Sequence, residues 1–387
     1  MTSEPGGPVT ARSERTGRWT GRVALVLAAS TGGIGRHVAS LAEGLAQAGA
    51  RVTVYGPALT EQTFRFAERG ASFVPVEIPR IRTPGDLRRL VTVVTGLRRA
   101  LADAEVVHAH GLRAGLVAAS ARAGRPLVVT WHNAVLAEGL RARAYAVAER
   151  RVARAADVTL GASADLVARA AALGARDARL CPVAAPPLPA PARTPAAVRA
   201  ELELAPRTPL VLSVGRLHPQ KGYETLVEAA ARWRTRDPAP VVVIAGTGPS
   251  YLRLAAQISA SRAPVRLLGH RTDVADLLAA ADLAVVTSRW EARQLFAQEA
   301  LRSGTPLVAT AVGGIPELVG DAALLVPPGD VDALDAAVRR LLDDPALRDE
   351  YAARGPAQAA TWPTERDTLA QVVDVYAELT AAESRAR

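Results

Sequence analysis

The only lysine of the chain, Lys221, ends the turn Gly215-Arg216-Leu217-His218-Pro219-Gln220-Lys221-Gly222. A guanidinium and an ammonium flanking one turn suit a pyrophosphate, because arginine offers a planar fork and lysine a compact point charge. Downstream, Glu291 and Glu299 stand eight residues apart in Ser288-Arg289-Trp290-Glu291-Ala292-Arg293-Gln294-Leu295-Phe296-Ala297-Gln298-Glu299. One carboxylate in a loop and one near the start of a helix can each grip a pair of hydroxyls on a sugar or a ribose. Glu299 alone is also a plain partner for a helix dipole. Upstream, Gly32 and Gly33 lie in Ser30-Thr31-Gly32-Gly33-Ile34-Gly35, where small residues let backbone N–H groups approach an oxyanion at a helix N-terminus. This turn lacks the third glycine of a nicotinamide-binding fingerprint. The next strand ends in Tyr55-Gly56 without an acid, which argues against a dehydrogenase. His108, His110 and His132 fall at strand ends. A pair of histidines two apart can ligate metal, but no third ligand is evident nearby, so no metal is expected. His132, beside the chain's only asparagine, Asn133, is expected to meet substrate; His108 is equally readable as a satisfied structural histidine. Asp330-Val331-Asp332 looks superficially like an acidic metal motif, but after Pro-Pro-Gly it reads as a helix N-cap.

These groups need elements to position them. Apolar runs at 23–28, 52–55, 72–78, 106–109, 126–131 and 158–162 alternate with helical patterns rich in Ala, Leu and Arg. Continuous apolar strands separated by helices predict a parallel sheet covered on both faces. Residues 181–195 carry six prolines and read as an interdomain connection. The pattern then restarts with strands at 209–215, 241–246, 265–269, 283–288, 306–310 and 323–327. The expected class is α/β, with two doubly wound Rossmann-like domains facing across a cleft. The expected boundaries are a flexible tail over 1–20, a first Rossmann-like domain over 21–180 and a linker over 181–208. A second Rossmann-like domain over 209–361 follows, then a C-terminal helix over 362–387 packing back toward the first domain. Strand C-termini gather at one edge, where such sheets bind ligands.

Composition narrows the class. Of 387 residues 49% are hydrophobic and 22% charged, so a packed core is expected and wholesale disorder is not. A single cysteine, Cys181, forms no intrachain disulfide and no cysteine metal cage. The N-terminal stretch lacks a signal-peptide core and no run spans a bilayer, so a cytoplasmic protein is expected. The net charge of +9 is uneven: residues 1–199 carry 27 Arg against 14 acids, whereas 200–387 carry 19 Arg and one Lys against 24 acids. The basic excess raises a nucleic-acid-binding reading, but aromatics are only 4% and no recognition motif stands out. Arg-rich stretches at 80–99 and 141–154 are expected to suit an anionic membrane surface or simply to be solvated.

Taken together, residues 31–38, 215–222, 269–285 and 288–319 resemble the retaining glycosyltransferases of family 4, which have the GT-B fold. The last stretch keeps that family's two glutamates in Glu291 and Glu299, followed by Gly313-Gly314-Ile315-Pro316-Glu317. The resemblance implies sugar transfer from a nucleotide sugar, either a UDP- or a GDP-sugar, with retention, to an unknown acceptor of lipid or cell-envelope type. It implies that Arg216 and Lys221 bind the donor diphosphate, that Glu299 holds the ribose and that Glu291 contacts the transferred sugar. His132 lies near that sugar and is grouped with Glu291 as catalytic. Backbone amides at Leu295 and Phe296 help hold sugar and phosphate, Gly33 lets its loop reach the phosphate, and Asp273, with His270 and Arg271, lies near the nucleobase. The family is similar in needing no bound metal, and no resident cofactor is expected. An epimerase or another GT-B enzyme, such as a phosphorylase, is the alternative. One departure stands out: Ala292-Arg293-Gln294 replaces a segment that commonly carries glycines.

Overall fold

The computed structural model describes residues 19–30, 32–80, 83–136 and 139–386. Most of the expected tail over 1–20 lies outside the described residues. Trp19 does not behave as tail: it is buried, with its ring 5.1 Å from that of Tyr376 in an edge-on contact.

The first half builds a seven-stranded parallel sheet in the order β3-β2-β1-β4-β5-β6-β7. Its strands are β1 (Arg22–Leu27), β2 (Arg51–Gly56), β3 (Ser72–Pro75), β4 (Val106–His110), β5 (Leu127–Trp131), β6 (Val158–Gly161) and β7 (Ala178–Leu180). The helices between them are α1 (Gly33–Gln47), α2 (Ala58–Phe64), α3 (Pro84–Ala100), α4 (Leu112–Ala121), α5 (Gly139–Ala155) and α6 (Ala164–Ala172). Both β4 and β5 are buried along their whole length, as strands covered on both faces must be. The strand expected over 72–78 stops at Pro75, and β7 adds a short seventh strand.

A six-stranded parallel sheet follows, ordered β10-β9-β8-β11-β12-β13. It contains α7 (Pro195–Glu201), β8 (Leu210–Val214), α8 (Tyr223–Trp233), β9 (Val241–Ala245), α9 (Tyr251–Ser261), β10 (Val265–Gly269) and α10 (Val274–Ala280). After these come β11 (Leu283–Val286), α11 (Leu295–Arg302), β12 (Leu307–Thr310), α12 (Ile315–Val319), β13 (Ala323–Val326), α13 (Val331–Asp343), α14 (Pro345–Ala359) and α15 (Glu365–Ala386). In each sheet the order reverses beside the first strand, between β1 and β4 and between β8 and β11. Doubly wound sheets bind ligands at such reversals.

The stretch expected as linker over 181–208 is not all connection. Thr194 caps α7 by accepting from the Ala197 N–H, and Pro195 stands at its first position, where its missing donor costs nothing. Val198 of α7 and Leu202 just past its end join the core of the second sheet. The Ala192 N–H donates to Asp276 at 2.6 Å, pinning the proline-rich strap to α10. Helix α15 returns to the first sheet. Its Val372, Val373, Val375 and Tyr376 join the core containing β1, α1 and Trp19. Asp330 caps α13 by accepting from the Ala333 N–H at 2.9 Å.

Candidate active site

The loop after β8 and the loop after β11 are laced together. The Arg289 N–H donates to the Gln220 carbonyl at 2.7 Å, and Gln220 Nε2 donates to the Trp290 carbonyl at 2.9 Å. Thr287 Oγ1 donates to the Lys221 carbonyl at 3.0 Å. His218 caps the short turn before Lys221 by accepting from the Gln220 N–H at 3.3 Å. Gly222 has φ +61°, and a Cβ there would lie 2.2 Å from the Thr287 carbonyl oxygen, so only glycine lets the two loops approach this closely.

This lacing brings Lys221 and Glu291 together. Lys221 Nζ donates to Glu291 Oε1 at 2.7 Å, and Ser288 Oγ donates to the same oxygen at 2.8 Å. Arg216 lies exposed at the head of the same loop. Glu299 is on the second turn of α11, not near its start, and it is buried. Burial raises its carboxyl above the usual range, partly opposed by Arg36 from α1 and by Arg302. Two predicted donor groups thus stand at the switch point of the second sheet, and Glu299 sits one turn into the adjoining helix.

Helix α11 begins at Leu295 with no side-chain cap, leaving the N–H groups of Leu295 and Phe296 without an intrahelical partner. Helix α1 likewise begins at Gly33 after Gly32 with no side-chain cap. The two helix starts meet across the cleft: a Cβ on Gly33 would lie 3.6 Å from Leu295 Cδ1. Two helix N-termini that meet this way, with Lys221 held by Glu291 in the loop leading to α11, suit an anion. The domains are also tied directly. Trp290 Nε1 donates to Asp165 at 2.9 Å, and the Ala164 N–H at the start of α6 donates to Glu317 at 3.2 Å.

The glycine-poor segment adapts without strain, since none of Ala292, Arg293 and Gln294 has a positive φ. The Arg293 guanidinium sits 5.7 Å from the Trp362 ring centre, and its Nε and Nη2 are buried without a hydrogen-bond partner. Asp273 is committed elsewhere. Its carboxylate accepts from Arg271 Nε at 2.7 Å and pairs with Arg193 of the proline-rich strap. The guanidinium of Arg271 holds Asp273 below the usual carboxylate range. The expected nucleobase position therefore carries a carboxylate already engaged by two arginines.

In the first domain four of the chain's six histidines cluster together. His108 and His110 lie within β4, and His132 follows β5 directly. His108 is fully buried and satisfied, bonded through Nδ1 to the Tyr376 hydroxyl and through Nε2 to the Thr130 hydroxyl, both at 2.6 Å. It is a structural histidine that joins β4, β5 and α15. His110 Nδ1 lies 3.2 Å from His132 Nε2. The expectation that no third imidazole stands near these two is overturned by His37. This residue lies on the second turn of α1, a neighbourhood that arises because β1 and β4 are adjacent in the sheet. Burial holds all four rings neutral: His37 is pulled down to about 4, His108 to about 3, and His110 and His132 well below the ordinary value. Sequence reading missed His37, although it lies four residues after Gly33 in the same motif.

Two parallel α/β domains that meet at their switch points define the GT-B architecture. The comparisons agree. The family described as glycosyl transferases group 1 matches residues 196–358, and the glycosyl transferase 4-like domain matches residues 32–186. The D-inositol 3-phosphate glycosyltransferase of Salinispora tropica is 35% identical over 329 residues, covering 75% of this chain and 67% of the relative. The enzyme of the same name from Streptosporangium roseum is 32% identical over 390 residues, covering 89% and 88%. The Anabaena HepE structure in complex with UDP superposes with a TM-score of 0.78 at 20% identity, covering 92% of this chain and all of that one. The chain belongs to glycosyltransferase family 4, with the GT-B fold, and is a glycosyl-transferring enzyme.

Proposed function

We propose that this enzyme transfers a sugar from a nucleoside-diphosphate sugar to an acceptor with retention of anomeric configuration, the nucleotide sugar serving as co-substrate without a resident cofactor. The observation that carries this reading is the meeting of the α1 and α11 starts, with the Lys221–Glu291 pair in the loop that leads into α11. A diphosphate placed there receives N–H groups from both domains and the charges of Lys221 and Arg216. These stabilise the negative charge that grows on the leaving group as the glycosidic bond breaks. Glu291 and Glu299 then face sugar and ribose hydroxyls, and His132 approaches the transferred sugar from the first domain. The UDP bound in the Anabaena HepE structure supports a UDP-sugar first. Calorimetry with UDP and GDP, followed by a donor panel and NMR of the product anomer, tests this. Saturable binding of one nucleotide and a product with the donor's configuration are expected; absence of both binding and transfer, or an inverted product, overturns it.

A lipid-borne or envelope acceptor is supported by a specific surface. On α3, Leu87 and Val91 are exposed beside Arg88 and Arg89; on α5, Tyr145 and Val147 are exposed among Arg141, Arg143, Arg150 and Arg151. Exposed apolar residues among arginines suit the surface of an anionic bilayer. No helix among the described residues is long and apolar enough to cross a membrane. Co-sedimentation with anionic but not neutral liposomes is expected, weakened in Arg88→Glu/Arg89→Glu. Binding that ignores lipid charge refutes this surface.

A further inference from the structure

We infer that His37, His110 and His132 form a binding site for a divalent cation of the zinc class, and that a cation bound there switches transfer off. Their candidate ligand nitrogens all lie within 4.8 Å of one another. The ring centres form a nearly equilateral triangle with sides of 5.3, 5.5 and 5.6 Å. Three imidazoles at ~2.0–2.1 Å from a tetrahedral ion place their nitrogens about 3.3 Å apart and their ring centres about 5.2 Å apart. The 3.2 Å between His110 Nδ1 and His132 Nε2, a hydrogen bond in the metal-free protein, fits one edge of that arrangement, and the triangle of ring centres is close to it. His110 is buried with Nδ1 toward His132, and its other ring nitrogen, Nε2, has no hydrogen-bond partner. Behind His110 stands His108, its ring centre 4.2 Å away and itself fixed by Tyr376 and Thr130. His108 supports His110 by ring stacking alone, without a hydrogen bond to it.

An all-imidazole set selects borderline ions, zinc above all, and disfavours magnesium and calcium, which prefer oxygen ligands. Three ligands leave a fourth position for water, as in open zinc sites. His37 also lines a cavity of about 520 Å³ together with Ser40, Gly44, Ala184 and Thr368. The inhibitory effect rests on the reading that His132 meets the transferred sugar: an ion held by His132 withdraws its nitrogen from the cleft. The binding site itself does not depend on that reading.

The test uses the full chain, stripped with a chelator and titrated with cobalt(II) as a spectroscopic stand-in for zinc. One cobalt per chain with the intense visible bands of tetrahedral coordination is expected, displaced by zinc and absent in His37→Ala. His270→Ala, which changes an exposed histidine outside the cluster, keeps the bands. A circular dichroism melt shows that His37→Ala is folded, and His37→Gln is the second variant. No cobalt bands in the parent chain, octahedral bands only, or bands that persist in both folded His37 variants overturn the site. In donor turnover, zinc at site-filling concentration is expected to lower the rate at least tenfold, reversed by chelator. An unchanged rate with the site filled overturns the switch but not the site. Loss of all transfer in metal-free protein sinks the proposed function while the cobalt spectrum still decides the site.

Discussion

Lys221 ties the two loops of the second domain's switch point through one ammonium. Its partner Glu291 keeps a second donor in Ser288 Oγ, so removing the lysine leaves the carboxylate hydrogen-bonded. Lys221→Ala is therefore expected to lower kcat/KM by roughly 10²–10³, the scale of one lost charge-stabilising donor, with little change in melting temperature. Lys221→Arg does not restore the rate, because a planar fork does not replace a compact ammonium 2.7 Å from Glu291. The histidines give a second prediction at this scale. Their folded-state pKa values lie below the ordinary 6.5, so the folded protein binds fewer protons than the unfolded chain at acidic pH. Their stabilisation is present above pH 6.5 and is lost as pH falls through the folded values. Each neutral buried histidine costs about 1.4 kcal/mol per pH unit below 6.5. Thermal melts are expected to drop steeply between pH 6.5 and 4, and less steeply in His37→Gln. An acid slope unchanged in His37→Gln would remove that ring from the account.

Between β11 and α12 the chain depends on backbone that approaches backbone. Gly313 has φ +52°, and a Cβ there would lie 2.1 Å from the Glu291 carbonyl oxygen; the Gly314 N–H donates to that same oxygen at 2.9 Å. Gly313→Ala is expected to cost at least ~1–3 kcal/mol in urea denaturation and to shift Glu291. Gly32→Ala, at a position with nothing within 4 Å of a new Cβ, is expected to stay within about 1 kcal/mol of the parent. The strands that place these loops were legible because strands covered on both faces read as plain apolar runs: Leu210–Val214 and Leu283–Val286 are such cases. The glutamates and Lys221 were legible as motif residues, but their pairing was not, since it depends on a loop contact across 70 residues. Helix α7 was hidden because prolines dominate its surroundings and because two core residues four apart, Val198 and Leu202, are too few to establish a helical period. His37 was hidden for another reason: its partners come from β4 and β5, and adjacency in a sheet is not written in sequence distance. The departures at Ala292, Arg293 and Gln294 looked like a conformational problem, yet the loop needs no left-handed residue there.

At the scale of the whole molecule, the cleft is held by few direct ties. Trp290 to Asp165 and Glu317 to the Ala164 N–H fasten the donor loop and the Gly-Gly-Ile-Pro-Glu turn to the start of α6. A hinged enzyme needs such ties strong enough to exclude water and weak enough to release product. Asp165→Ala is expected to open the cleft, seen as a larger radius of gyration in solution scattering and a raised KM, with kcat changed less. No change in either would assign Asp165 to local capping alone. Helix α15 adds a tie of another kind, because Tyr376 fills the core of the first sheet and bonds His108. The segment that seals β1 and α1 is thus made about 300 residues after them, some 15–60 s later at ordinary rates of synthesis. Until α15 emerges from the ribosome, the apolar faces of Leu41 and Leu45 on α1 and of Trp19 are waiting for a partner. The first half of this enzyme therefore carries an uncovered apolar seam until the last helix is made.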